Sequence, residues 1–296
     1  MGRRILMLWL LGLTSLWTTP LQAGELVLTY PPPEFKSDAR HPYFLALLQL
    51  ALDHTVAEEG PYRLQPLANV AQQSRAFRLL GNKQLDVMWS MTSREREHAY
   101  LPVRIPLMKG LLGYRVILIN RQDAAIFEGM DEQNLKEVTC YQGHDWPDLE
   151  ILAFNGFQVR GVANYLRIFT MLDRGMIDCF PRGILEAWGE IESQQLQNTV
   201  VDSRFVLIYP TAIYFFVHQD NHALASRLER GLRAALADGS FDRLLYGYPP
   251  HKEALARANL DQRVKVVLQN PLLPAQTPLS EPALWHHGQG VPLDKP

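Results

Sequence analysis

The run Asp86-Val-Met-Trp-Ser-Met-Thr-Ser-Arg-Glu-Arg96 concentrates groups that can recognise a carboxylate. Leu85 to Trp89 reads as a strand buried on both faces, because it is apolar without strict alternation. Thr92, with Glu95 three residues on, reads as a capping box that opens a helix. A helix start offers free backbone amides to an anion, and a guanidinium fork pairs with both oxygens of a carboxylate. Arg94 and Arg96 both fall in that first turn. Either could serve as the carboxylate arginine, and the bland alternative for each is a solvated surface charge.

Other chemistry is missing. The chain has no G-x-x-x-x-G-K-[ST], no G-x-S-x-G, no H-E-x-x-H and no glycine fingerprint after its first strand. The nine histidines are scattered, and the close pair His218 and His222 spans a strand end and a loop without a third ligand. The expectation is therefore no enzyme, no cofactor and no metal. With 29 Lys+Arg against 31 Asp+Glu, no basic excess is available to neutralise phosphates, so nucleic acid is not an expected partner.

The elements that must position these groups follow an exported start. Arg3 and Arg4 precede an apolar run, Ile5 to Leu13, that is short of the ~20 residues of a membrane span. Residues 1–23 therefore read as a signal peptide cut after Ala23, which places the mature chain in the periplasm with 27 basic and 31 acidic residues. Export permits a disulfide between Cys140 and Cys179, which both fall in strand-like runs; two buried thiols are the equal alternative.

Beyond the signal, strands and helices alternate, which implies parallel sheets with helices packed outside. A first series holds strands at Leu26 to Tyr30, Tyr62 to Leu67 and Leu85 to Trp89, with helices at Tyr43 to Val56 and Ala71 to Leu80. A second holds strands at Tyr114 to Asn120, Glu137 to Tyr141, Phe157 to Val162 and Met176 to Phe180. Its helices run from a cap at Asp145 to Phe154, from Tyr165 to Arg174 and from Ile184 to Glu192. The chain returns through strands at Phe205 to Tyr209 and Ala212 to His218 and the helix Ala223 to Ala237. This order suggests two lobes, one continuous and one discontinuous. The last 27 residues carry six prolines and read as a wrapped or loose tail.

Ser90-Met91-Thr92-Ser93-Arg94-Glu95-Arg96 resembles the G-M-T-x-T-x-E-R segment of bacterial extracellular solute-binding proteins of family 3, the polar-amino-acid type that serves ABC importers. Arg174-Gly175-Met176-Ile177-Asp178 resembles that family's G-x-x-D before a second-lobe strand, and Asp238-Gly239-Ser240-Phe241 its closing helix. The resemblance covers roughly Glu25 to Tyr248. It implies an α/β, two-lobed type II periplasmic binding-protein fold with two hinge crossovers, near Leu111 to Tyr114 and Ile208 to Thr211. Lobe 1 would comprise residues 24–112 plus 210–269, lobe 2 residues 113–209, and the tail 270–296.

Carried over by position, Arg96 takes the carboxylate role, with Thr92 and Ser90 beside it. Tyr30, Phe35 and Trp89 supply apolar walls, and Gly143, His144 and Asp145 stand where the family presents helix amides. The segment is one residue shorter than the family pattern, which leaves Arg94 as a substitute for Arg96. The family's ammonium-binding Asp is replaced by Arg182 in Phe180-Pro181-Arg182-Gly183. An arginine there reverses the local charge unless Asp145, Asp148 or Glu186 compensates, and it points to a ligand with at least one acidic group, with or without a free ammonium. The alternative is an Arg182 salt bridge to Glu186 at i+4.

The resulting expectation is a monomeric receptor for a small carboxylate-bearing solute, partnered by an ABC permease or a sensor kinase. Two alternatives stand beside it: a dehydratase-like enzyme on the same scaffold using Asp145 or Glu186, and an orphan scaffold that binds no solute.

Overall fold

The computed structural model describes residues 25–33, 38, 40–68 and 73–286. The signal segment, the expected wall residue Phe35, the start of the helix expected from Ala71 and the last ten residues lie outside these.

The first lobe opens with β1 (Leu26–Tyr30), α1 (Arg40–Asp53), α2 (Val56–Glu59) and β2 (Tyr62–Pro66). It continues with α3 (Gln73–Gly81), β3 (Val87–Met91), α4 (Arg94–Ala99) and β4 (Leu101–Val103). β1 pairs in parallel with β2, and Asp86 fastens them to β3 by accepting from the Thr29 amide at 2.7 Å and from its hydroxyl at 2.6 Å.

The second lobe holds β5 (Tyr114–Asn120), α5 (Ala124–Gly129), α6 (Glu132–Glu137), β6 (Cys140–Gly143), α7 (Pro147–Phe154) and β7 (Val159–Val162). It goes on through α8 (Leu166–Asp173), β8 (Cys179–Gly183), α9 (Ala187–Ser193), β9 (Thr199–Val201) and β10 (Phe205–Ile208). The chain then returns to the first lobe as β11 (Ile213–Val217), α10 (His222–Ala237) and α11 (Ser240–Gly247), followed by α12 (Pro249–Ala258) and β12 (Val264–Val267).

β11 runs between β3 and β4, antiparallel to both. α1 buries Tyr43, Phe44, Leu47, Leu48, Ala51 and Leu52, a spacing of three and four that gives one apolar helix face. That face meets α10 so closely that a Cβ on Gly231 would lie 1.8 Å from the Ala51 carbonyl oxygen. The second-lobe sheet has the order β12-β10-β5-β8-β6-β7, with β9 also on β5. β5 is buried along its whole length.

In this sheet Cys140 and Cys179 stand opposite each other on parallel neighbours and form a disulfide. Between the two possibilities for this pair, the bridge is the one present.

The crossovers lie at the expected places and touch each other. The chain leaves the first lobe through the tight turn Leu111–Gly113, and the Tyr209 amide on the return crossing donates to the Gly113 carbonyl at 3.1 Å. A Cβ on Gly113 would stand 2.0 Å from the Tyr209 carbonyl oxygen, so only glycine lets the two strands run this close.

One boundary differs from expectation. β12 lies within 210–269, the stretch assigned to lobe 1, yet it pairs in parallel with β10 at the edge of the second-lobe sheet. It buries only one residue, Val266, as an edge position allows. The tail then wraps back across the hinge. Asn270 donates through Nδ2 to the Pro210 carbonyl at 2.8 Å, the Arg94 amide donates to the Leu272 carbonyl at 3.1 Å, and the His286 amide donates to the Lys109 carbonyl at 2.8 Å. Trp285 is buried against Gly110. Among the described residues no helix is long and apolar enough to cross a membrane.

Candidate functional site

The cleft between the lobes encloses a cavity of about 120 Å³. Its first-lobe wall comes from α1 and β3. Trp89 stacks on Phe44 with ring centres 5.5 Å apart and meets the His41 ring edge-on at 5.4 Å. The facing wall comes from the first turn of α7 and the end of β8, with Trp146, Asp148 and Arg182. Tyr30 is buried behind His41 and does not line the cavity.

Arg96 does not line this cavity itself; it stands on the outer groove, behind Ser90, Met91 and Gln73 of the cavity wall. Its Nη1 donates to the Ser90 hydroxyl at 3.0 Å and the Met91 carbonyl at 2.7 Å, while Nη2 donates to the Gln73 amide oxygen. The same Nη2 reaches across the cleft to the Asp145 carbonyl at 3.0 Å. The Asp145 carboxylate in turn accepts from the Ser74 amide at 3.2 Å. These contacts tie the lobes together and separate the inner cavity from an outer groove of about 250 Å³ between α4 and α7. Burial lowers the Arg96 pKa to about 10, opposed by the charges of Asp145, Asp148 and Glu95, so the guanidinium remains charged at neutral pH.

Arg94 and Arg96 are placed differently. Arg94 is exposed and donates through Nε to the Leu273 carbonyl of the tail at 3.3 Å, away from the cavity. The expected capping box is also corrected. Ser93 caps α4 by accepting from the Arg96 amide at 3.2 Å, whereas the Thr92 hydroxyl donates to Glu97 at 2.6 Å. Thr92 is thereby turned away from the cavity that its neighbour Ser90 lines.

Asp145 does not cap α7. That helix starts at Pro147 with Trp146 at its cap position, and Asp145 is held by Ser74 instead. Gly143 ends β6 beneath the Trp146 ring, where a Cβ would lie 2.7 Å from ring carbons. His144 is exposed and lines only the outer groove.

Arg182 overturns the expected charge reversal. β8 runs three residues further than expected, so Arg182 is a strand residue with its side chain 2 % exposed. It donates to both carboxylate oxygens of Glu190, at 2.7 and 2.6 Å, and lies 3.2 Å from Glu186. Arg115 on β5 pairs with Asp148 at 2.5 Å and lies 3.5 Å from Glu186. Burial acts to lower the pKa of both arginines, but the facing carboxylates outweigh it and raise them. Burial likewise acts to raise Glu186, and Arg182, Arg40 and Arg115 together hold it well below the carboxylate range. The cavity wall thus opposes Arg40, Arg115 and Arg182 to Asp38, Asp148 and Glu186, and the expected locally positive cleft is in fact balanced. Tyr209 on the return crossover also donates to Asp148 and accepts from Arg115 Nε at 2.9 Å, joining this network to the hinge.

The sequence reading missed Arg40, Gln73, Arg115 and Trp146. A usable signal existed for one of them: Arg115 is a lone charge at the start of an otherwise apolar strand, which marks a buried partner. Among the described residues no group of three His, Cys, Asp or Glu side chains could hold a metal ion.

No protein-family model and no curated protein sequence matches the chain. Solved structures do match its fold. The VFT2 domain of Bordetella pertussis BvgS is 15 % identical, with 75 % of this chain and 93 % of that one covered at a TM-score of 0.60. A histidine kinase sensor domain similar to periplasmic binding proteins is 15 % identical, with 77 % and 97 % covered at 0.56. A Streptococcus pneumoniae amino acid ABC transporter substrate-binding protein, bound to L-arginine, is 14 % identical, with 77 % and 94 % covered at 0.56. Together with the two lobes and crossovers, these likenesses define the chain as a type II periplasmic binding-protein fold.

Proposed function

We propose that this protein captures a small carboxylate-bearing solute of the amino-acid class in the interlobe cleft and presents it to an ABC importer. The observation that supports the reading is the cavity walled by Trp89 from one lobe and Trp146 from the other, beside which Arg96 of the first lobe bonds the Asp145 carbonyl of the second. A solute held there touches both lobes, and contacts to both favour the closed form. Its carboxylate would take over the Arg96 donors now given to Asp145 and Gln73.

Export to the periplasm is part of the proposal, with residues 1–23 as the removed signal. The Cys140–Cys179 disulfide supports an oxidising compartment. The molecule would act as a monomer.

A thermal-shift screen of the mature protein over amino acids, dicarboxylates and small peptides, followed by calorimetric titration of the hits, tests this reading. Stoichiometric stabilisation without turnover supports it; no stabilisation by any solute leaves the orphan scaffold in its place. A sensor role is a second reading, favoured by the two sensor domains among the compared structures. Solute uptake that persists unchanged on deletion of the gene would favour the sensor. In the dehydratase-like alternative Glu186 is poorly suited as a general acid, because three arginines hold it ionised and it carries no proton to donate at neutral pH.

A further inference from the structure

We propose that Arg40 is a tethered cation of the cleft: its guanidinium fills an acidic, phenol-flanked subsite and holds the lobes together until a free cationic group displaces it. The proposal deepens the solute-binding reading and rests on it, adding that the solute carries a guanidinium or amine as well as a carboxylate.

Arg40 begins α1 in the first lobe. Its Nε donates to Asp38 Oδ1 at 3.0 Å, on its own side of the cleft. Nη2 also donates to Asp38 Oδ2 at 3.3 Å, and the contacts that cross over are Nη1 to Glu186 Oε1 at 3.4 Å and Nη2 to the Tyr165 hydroxyl at 3.5 Å. Both partners belong to the second lobe, so Arg40 bridges the cleft as Arg96 does at its other end.

The two oxygens of Glu186 are used differently. Oε2 faces inward, accepting from the Gly183 amide at 3.1 Å and lying 3.2 Å from Arg182 and 3.5 Å from Arg115. Oε1 is turned to Arg40. The Arg40 side chain is 19 % exposed, against 2 % for Arg182 and 3 % for Arg115, so it is the arginine of this network that solvent reaches. Its cross-cleft contacts of 3.4 and 3.5 Å are also longer than the 2.6 Å bond between Arg182 and Glu190. Arg182 and Arg115 are fixed parts of the wall. Arg40 is the member that can leave, with Asp38 paired to it on the same lobe, and the second-lobe site it vacates presents the Glu186 carboxylate oxygen and the Tyr165 phenol, which suit a cation.

A tethered competitor lowers apparent affinity by the fraction of time the subsite is free: a cleft competent for roughly one tenth of the time binds about tenfold more weakly. The test compares wild type with Arg40→Met, and with Arg40→Lys as the variant that keeps a charge. Small-angle scattering without added solute reads the tether, and titration with L-arginine, agmatine and succinate reads the subsite. The expected results are a larger radius of gyration for Arg40→Met, about tenfold tighter L-arginine binding by it, an intermediate Arg40→Lys and no gain for succinate. Unchanged radius together with unchanged L-arginine affinity overturns the tether while leaving solute binding intact. Failure of all three probes to bind any variant overturns the subsite and the cationic solute, and the scattering comparison still decides whether Arg40 holds the lobes.

Discussion

Arg96 of the first lobe donates to the backbone carbonyl of Asp145 in the second at 3.0 Å, so the residue assigned to grip a carboxylate also links the two lobes. Both roles depend on a planar fork with several fixed donors, since the same guanidinium bonds Ser90, Met91 and Gln73. Lysine offers a point charge and cannot span these acceptors. Arg96→Lys is expected to weaken binding of a carboxylate solute by roughly 10- to 100-fold, about 1.4–2.8 kcal/mol, in calorimetric titration. Unaltered affinity would remove Arg96 from the site.

Arg182 behaves as structure rather than as a ligand group, and a stability measurement separates the two. Removing it leaves Glu190 and Glu186 buried beside each other without their main counter-ion. Arg182→Ala should destabilise by ~3–5 kcal/mol in urea denaturation, and pairing Arg182→Met with Glu190→Gln should recover part of that loss. A variant as stable as wild type that had lost only solute binding would contradict this assignment.

The elements legible in the sequence were those whose pattern is local. β5 matches its expected bounds because Val116 to Ile119 is a continuous apolar run after Arg115, and α10 matches because Leu224, Leu228, Leu232 and Ala235 recur on one face. The spacing of hydroxyl and guanidinium groups points to Arg96, and the structure sets it against Ser90 and Gln73 of the cavity wall. The cleft charges were not legible. Glu190 lies eight residues beyond Arg182, and its approach depends on where β8 stops, which pattern alone misses by three residues. Arg40 and Glu186 are 146 residues apart, and no local rule couples them. β12 was missed because an edge strand needs little apolar pattern of its own.

The hinge gives a backbone prediction. Gly113 and Tyr209 pass so closely that the methyl group of Gly113→Ala would lie 2.0 Å from the Tyr209 carbonyl oxygen. The crossovers must then separate, which also disturbs the Tyr209 hydroxyl bonded to Asp148 and Arg115. A loss of ~1–3 kcal/mol is expected in thermal unfolding, accompanied by weaker solute binding. A variant with wild-type melting and affinity would show that the crossovers do not depend on this contact.

The Cys140–Cys179 bridge closes a 39-residue separation between β6 and β8, the strands that lead to Trp146 and Arg182. Cys140→Ala with Cys179→Ala is expected to cost ~2–4 kcal/mol, because the unfolded chain regains the closed loop's freedom. Thiol titration of the unfolded, unreduced wild type should find no free thiol. Two free thiols in protein purified from the periplasm would refute the bridge.

His251 sets an acid limit on stability. It is buried in α12, with Nδ1 3.0 Å from the Leu245 carbonyl and its ring against Tyr43 and Tyr248. Burial lowers its pKa from 6.5 to about 4, only partly offset by the Leu245 bond and the distant charge of Glu186. The folded state therefore resists a proton that the unfolded chain accepts. Stability is fully present above pH 6.5 and falls as the pH drops toward about 4, by ~3 kcal/mol over that interval. Glu186 acts lower down, since its depressed value removes stability only as the pH falls below its ordinary 4.5. Urea denaturation at pH 7, 5.5 and 4.5 reads the first window apart from the second. His251→Phe, which keeps an aromatic ring beside Tyr43 and Tyr248, should flatten the fall between pH 6.5 and 4.5. An equally steep fall in this variant would assign the acid sensitivity to another group.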